Sequence, residues 1–172
     1  MEENQMELFQ VSKYLDVEHT IAKYMFDPVE NPWEVLPSIS IFIEQLGPML
    51  PNEEFEQRGS NVWISKSAVI APTAYIGGPC IIDAGTEVRH CAFIRGSAII
   101  GKNCVIGNST EVKNSIIFDE VQIPHYNYVG DSILGFRSHL GAGAITSNVK
   151  NDKSNVEAVS YTHLRAHETL MN

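Results

Sequence analysis

Two sets of polar residues in this sequence recur at separations of 17 or 18: His90, Asn108 and His125, continued by Ala142, and Arg95 followed by Lys113. His125 directly follows Pro124. Its imidazole is the side chain best suited to take a proton near neutral pH, as an amine nucleophile requires when it attacks a thioester. The same spacing also fits a corner histidine that only bonds Asn108 or a backbone carbonyl. Arg95 and Lys113 form a basic pair in a chain of net charge −9. Two stacked cations suit a phosphate or carboxylate clamp, and equally suit two solvated surface residues.

The elements that must position these residues follow a period of six. Ile64, Ile70, Ile76, Ile82, Val88, Ile94, Ile100, Ile106 and Val112 fall at strict six-residue spacing. Two positions before each stands a residue that is small in nearly every case, among them Ala68, Cys80, Thr86, Ala98 and Thr110. Side chains two apart on a strand point the same way, so each pair faces one interior. A branched residue beside a small one fills a narrow triangular prism, and nine consecutive matches predict a hexapeptide β-helix. Gly77, Gly101 and Gly107 directly follow the aliphatic position, where a corner is expected to favour positive φ. After Val112 the register slips, with five-residue steps at 112→117 and 129→134.

Three hexads make one coil, which places His90, Asn108 and His125 in a ladder at one corner. Arg95 and Lys113 stand at another, with Tyr128 beside them on the next coil. One prism keeps these corners apart, whereas three prisms side by side bring one chain's first corner to its neighbour's second. The geometry therefore predicts a homotrimer with sites in the clefts.

Residues 1–58 read as a helical segment, with Leu36, Ile39, Ile43 and Leu46 at helical spacing and Gly47 as the stop. A shorter helix is expected from Asp16 to Met25. The whole segment is expected to cap the open end of the repeat domain, residues 59–158, because stacked-repeat cores need caps. Residues 159–172 lack the period, resemble translated adapter sequence and read as a non-native tail, with natural coils continuing beyond Ala158.

Composition excludes several classes of function. The sequence has 12 Lys and Arg against 21 Asp and Glu and no basic run, which argues against a nucleic-acid partner. No apolar run approaches a membrane span, and the polar start Met1-Glu2-Glu3-Asn4 is no signal peptide. Cys80, Cys91 and Cys104 are odd in number and lack zinc spacing, which fits a reducing, cytoplasmic setting.

From about Arg89 to Lys153 the sequence resembles the acetyltransferase half of the bifunctional N-acetylglucosamine-1-phosphate uridyltransferase/glucosamine-1-phosphate acetyltransferase family. The most specific stretches are residues 105–113, VIGNSTEVK, then 125–131, HYNYVGD, and 141–148, GAGAITSN. The resemblance implies a mainly β, left-handed parallel β-helix with acetyl-CoA as co-substrate. It implies acyl transfer to the amine of an amino-sugar phosphate or nucleotide sugar, in cell-envelope precursor metabolism. By resemblance His125 is the general base, and Arg95, Lys113 and Tyr128 contact the sugar phosphate. Asn148 is the loop residue that reaches a neighbour's site, and Ala142 offers a backbone amide near the acetyl group. Where the family has a sugar-binding asparagine, this chain has His139. The Gly-rich loop that uridylyl transfer needs is absent from residues 1–58.

Two other readings stay open. A non-catalytic β-helix could bind a sugar nucleotide, or trimerise, for a separate nucleotidyltransferase. A γ-class carbonic anhydrase shares the prism, and His90 and His125 have a suggestive separation. The position of that family's third ligand offers only Gly130 and Asp131, so no metal is expected.

Overall fold

The computed structural model describes residues 10–146. They form the expected mainly β architecture, a parallel β-helix of about four turns. Each turn lays one short strand on each of three faces. Face A stacks β2 (Val62–Ser65), β5 (Cys80–Ile82) and β8 (Ala98–Ile100), then the later halves of β10 (Glu111–Ile117) and β12 (Tyr128–Leu134). Face B stacks β3 (Val69–Ile70), β6 (Glu87–Val88), β9 (Val105–Asn108) and β11 (Gln122–His125), ending in a bridge from Gln122 to His139. Face C stacks β4 (Tyr75–Ile76), β7 (Phe93–Ile94) and the early halves of β10 and β12.

Register follows the hexads. Val88 pairs with Ile106, Ile106 with Ile123, Ile94 with Val112, and Val112 with Val129. These inward side chains are fully or almost fully buried, and the small partners Cys80, Ala98, Cys104 and Thr110 fill the space beside them. Burial pushes the Cys80 and Cys104 thiols up to about 12, so both are inert core fillers.

The corners differ from expectation in one respect. Gly77, Gly101 and Gly107 do not have positive φ; after Gly101 and Gly107 that conformation falls two positions later, at Asn103 (φ 53) and Ser109 (φ 53). Glycine is required at 107 because a Cβ there would be driven into the Pro124 carbonyl oxygen one coil above. The five-residue steps also find their cause here. At an ordinary corner the left-handed residue stands three after the aliphatic position, as Ser109 does after Ile106, whereas Asn114 and Asp131 stand only two after Val112 and Val129. The corner is one residue shorter, so β10 and β12 run through it from face C to face A.

The N-terminal segment packs elsewhere than the open end. Besides α1 (Val11–Tyr14) and α2 (Ile39–Leu46), it holds short 3-10 turns, and two of these replace the helix expected from Asp16 to Met25. Residues expected to stay helical as far as 58 instead begin β1 (Phe55–Gly59), which pairs antiparallel with β2 and covers the edge of face A. Ile39 and Ile43 are fully buried, and α2 packs across β5, β8 and β10. The reason lies in the outward column of face A, Trp63, Ile81, Ile99 and Ile116, which is apolar and buried. Faces B and C carry Val69, Glu87, Val105, Gln122 and Tyr75, Phe93, Glu111, Tyr128 in the same role. Only face A demands a cover, and the hydrophobic stripe of α2 supplies it. Phe26 meets Phe118 edge-to-face at 5.7 Å, and the His19 ring stacks on Phe136 at 3.6 Å, fastening the segment to the later coils.

Candidate functional site

His125 ends β11 at the corner between faces B and C, and its side chain is exposed. Its ring has no hydrogen-bond or ion-pair partner among the described residues. Its backbone is held firmly: the His125 N–H donates to Asn127 Oδ1 at 3.0 Å, and its carbonyl accepts the Gly143 N–H at 3.0 Å. The ladder below is built through backbone. Asn108 pairs with His125, but its side-chain amide turns down to the His90 carbonyl at 3.0 Å. His90 Nδ1 in turn meets Thr73 Oγ1 at 2.9 Å. His90 and His125 are thus two coils apart with Asn108 between them. Among the described residues no group of three or more His, Cys, Asp or Glu could hold a metal ion.

Above His125 the turn Gly141-Ala142-Gly143 is exposed, and a side chain at either glycine would meet nothing within 4 Å. The Ala142 turn therefore borders open space, one coil above the His125 backbone. His139 is exposed on face B, one coil above Gln122 and on the same side of the prism as His125. His125, His139 and Ala142 thus stand on the same side of the prism.

A second group of polar side chains lies across face C. Arg95 and Lys113 follow Ile94 and Val112 into the corner between faces C and A, one coil apart. Each carries a carboxylate partner from the coil above. Arg95 Nη1 lies 2.8 Å from Glu111 Oε1, and Lys113 Nζ lies 3.2 Å from Asp131 Oδ2. The Glu111 carboxylate, with Tyr128 adding a smaller effect, raises the Arg95 pKa further. Tyr128 stands one coil above Glu111. Its hydroxyl would lie 2.5 Å from a Cβ at Gly130, the residue stacked on Lys113, so glycine there lets the phenol fold toward the cations. Arg95, Lys113 and Tyr128 are brought together as expected. Asn148 lies outside the described residues, as does the 159–172 tail.

Three contributors escaped the sequence reading. Asn127 occupies the small inward position that Thr110 fills one coil below, and it is buried. Its amide donates to the Gly141 and Ala144 carbonyls at 2.7 and 3.2 Å, tying the Ala142 turn to the His125 corner. An amide in a column of small side chains was the signal. Glu111 and Asp131, the carboxylates that hold the cations, carried none, since exposed acids are common in so acidic a chain.

The profile of the GMPPB C-terminal domain matches residues 76–162, half of the chain. A protein from Methanococcus maripaludis named "Bifunctional protein GlmU" is 37% identical over 133 residues, covering 76% of this chain and 32% of that protein. Proteins of the same name from Methanococcus vannielii and Desulfitobacterium hafniense are 32% and 33% identical, over 74% and 70% of this chain. The chain spans about a third of the length of these relatives.

Proposed function

The chain belongs to the GMPPB C-terminal domain family, and from its site geometry and its similarity to proteins named Bifunctional protein GlmU we propose that its β-helix transfers an acetyl group from acetyl-CoA to the amine of an amino-sugar phosphate or nucleotide sugar. The observation that carries this reading is the pairing of an exposed, unencumbered imidazole with an anion clamp across one face of the prism. In the reaction His125 accepts the proton that the amine nitrogen loses as it attacks the thioester carbon. The new C–N bond forms, the C–S bond breaks, and the departing sulfur takes the proton back from His125, so that coenzyme A leaves as its thiol. Arg95, Lys113 and Tyr128 hold the phosphate of the acceptor, and the Ala142 N–H faces the acetyl oxygen. His139 and Asn148 border the sugar. Product would enter UDP-N-acetylglucosamine metabolism.

One prism holds the two half-sites on either side of face C, so the complete site requires a homotrimer in which neighbours contribute opposite corners. Faces B and C, whose outward Val69, Tyr75 and Phe93 are exposed among the described residues, support that packing, since face A is already occupied by the chain's own N-terminal segment. Free thiols at Cys80, Cys91 and Cys104 support a cytoplasmic setting, and among the described residues no helix is long and apolar enough to cross a membrane.

The test is release of free thiol from acetyl-CoA with glucosamine 1-phosphate, using the full chain. Turnover that disappears without the acceptor supports acyl transfer. Tight acceptor binding without thiol release would instead support the binding module, a reading favoured by one feature: His139 stands where the resembled family has its sugar-binding asparagine.

A further inference from the structure

We infer that Glu111 is a specificity-determining counter-ion of the Arg95–Lys113 clamp, which makes the clamp accept phosphate monoester dianions and reject singly charged anions. The inference rests on the clamp proposed above and goes beyond it, to how the clamp chooses its anion. Two cations and two carboxylates alternate along this corner, so their formal charges cancel. A neutral cluster draws no anion from a distance, and a ligand binds only by taking the place of a carboxylate. All four side chains are partly exposed, between 26% and 47%, and ion pairs that water reaches are weak enough to be exchanged.

The two carboxylates are not equivalent. Asp131 sits at a left-handed corner, φ 49, and its Oδ1 also accepts the Asn114 side-chain amide at 2.7 Å. It is fixed on both oxygens and works as the positioning residue of Lys113. The Glu111 side chain is held by Arg95 alone among the described residues, and it projects from the outward column of face C between Phe93 and Tyr128. A longer side chain with a single tether is the one that swings away. A phosphate dianion carries enough charge to hold Lys113 and to replace Glu111 on Arg95 together. A monoanion offers Arg95 no more than Glu111 already does, so it leaves the pair closed.

The experiment compares binding of methyl phosphate, a dianion at pH 8, with dimethyl phosphate, a monoanion, by titration calorimetry on the full chain. The unmutated chain is expected to prefer the dianion by at least about tenfold. Glu111→Gln is expected to bind both anions more tightly, by about threefold or more for the dianion, and to lose most of the preference. Glu111→Asp, which keeps the charge, restores part of it, and a selectivity ratio is a readout that a merely structural role would not move. Asp131→Asn should weaken both anions alike. If methyl phosphate binding depends on Lys113 but Glu111→Gln leaves affinity and preference unchanged, the counter-ion role is overturned and the clamp stands. If Lys113→Ala leaves binding unchanged, or the unmutated chain binds neither anion, the clamp falls and this inference with it.

Discussion

Asn127 grips the backbone of His125: its Oδ1 accepts the His125 N–H at 3.0 Å, while its amide holds the Gly141 carbonyl at 2.7 Å. A buried side chain inside the prism thus sets the position of an exposed one outside it. Asn127→Ala removes these bonds and leaves the His125 N–H without its Oδ1 partner, while the Gly141 and Ala144 carbonyls keep the backbone N–H groups of Ala144 and Tyr128. We expect a loss of about 1–3 kcal/mol in stability, checked by urea unfolding, with turnover falling while binding of the phosphate half-site is kept.

His125→Ala should lower turnover about 10²–10⁴-fold without lowering the melting temperature. The ring is exposed and has no partner among the described residues, so its removal opens no cavity. Unchanged turnover in this variant would show that His125 is not the base of the transfer.

Lys113→Ala should weaken binding of glucosamine 1-phosphate by about 10- to 100-fold, the effect of one charge-assisted contact. Turnover at saturating acceptor should change far less. A comparable loss with unphosphorylated glucosamine would show that Lys113 does not read the phosphate.

Ile99→Ala and Ile106→Ala test the two sides of the sheet. Both residues are fully buried, Ile106 inside the prism and Ile99 outside it, beneath the N-terminal segment. Each should destabilise by roughly 2–5 kcal/mol. Only Ile99→Ala should speed proteolysis within the N-terminal segment under native conditions. Equal protection in both variants would contradict the packing of that segment on face A.

The cysteines give a pH-dependent prediction. Cys91 is exposed, while Cys80 and Cys104 are buried with thiols raised to about 12. A thiol reagent should label one cysteine per native chain and all three after unfolding. The folded pKa values lie above the unfolded value of about 8.5, so the buried neutral thiols contribute fully below that pH. Their contribution is lost as pH rises toward 12, and unfolding should become easier over that range. A Cys80→Ala, Cys104→Ala double variant should show a flatter profile.

The coils, the inward columns and the sharing of a corner by Arg95, Lys113 and Tyr128 were legible in the sequence. Each follows from a short-range period, and the period is imposed by a prism whose turns contain a nearly constant number of residues. Even the two shortened corners could be read from the slips after Val112 and Val129. Handedness came only from family resemblance, because six-residue spacing is the same in either hand. Tertiary structure decided the rest, for reasons no local period contains. The helical stripe of Ile39 and Ile43 states that α2 must be covered, but not by which surface; that was settled by the apolar outward column of Ile81, Ile99 and Ile116 many residues later. Glycine at 107 follows from Pro124 lying on top of it, a contact across a full coil. The pairing of Arg95 with Glu111 and of Lys113 with Asp131 likewise exists only once successive coils stack, which turns four separate charges in the sequence into two closed ion pairs.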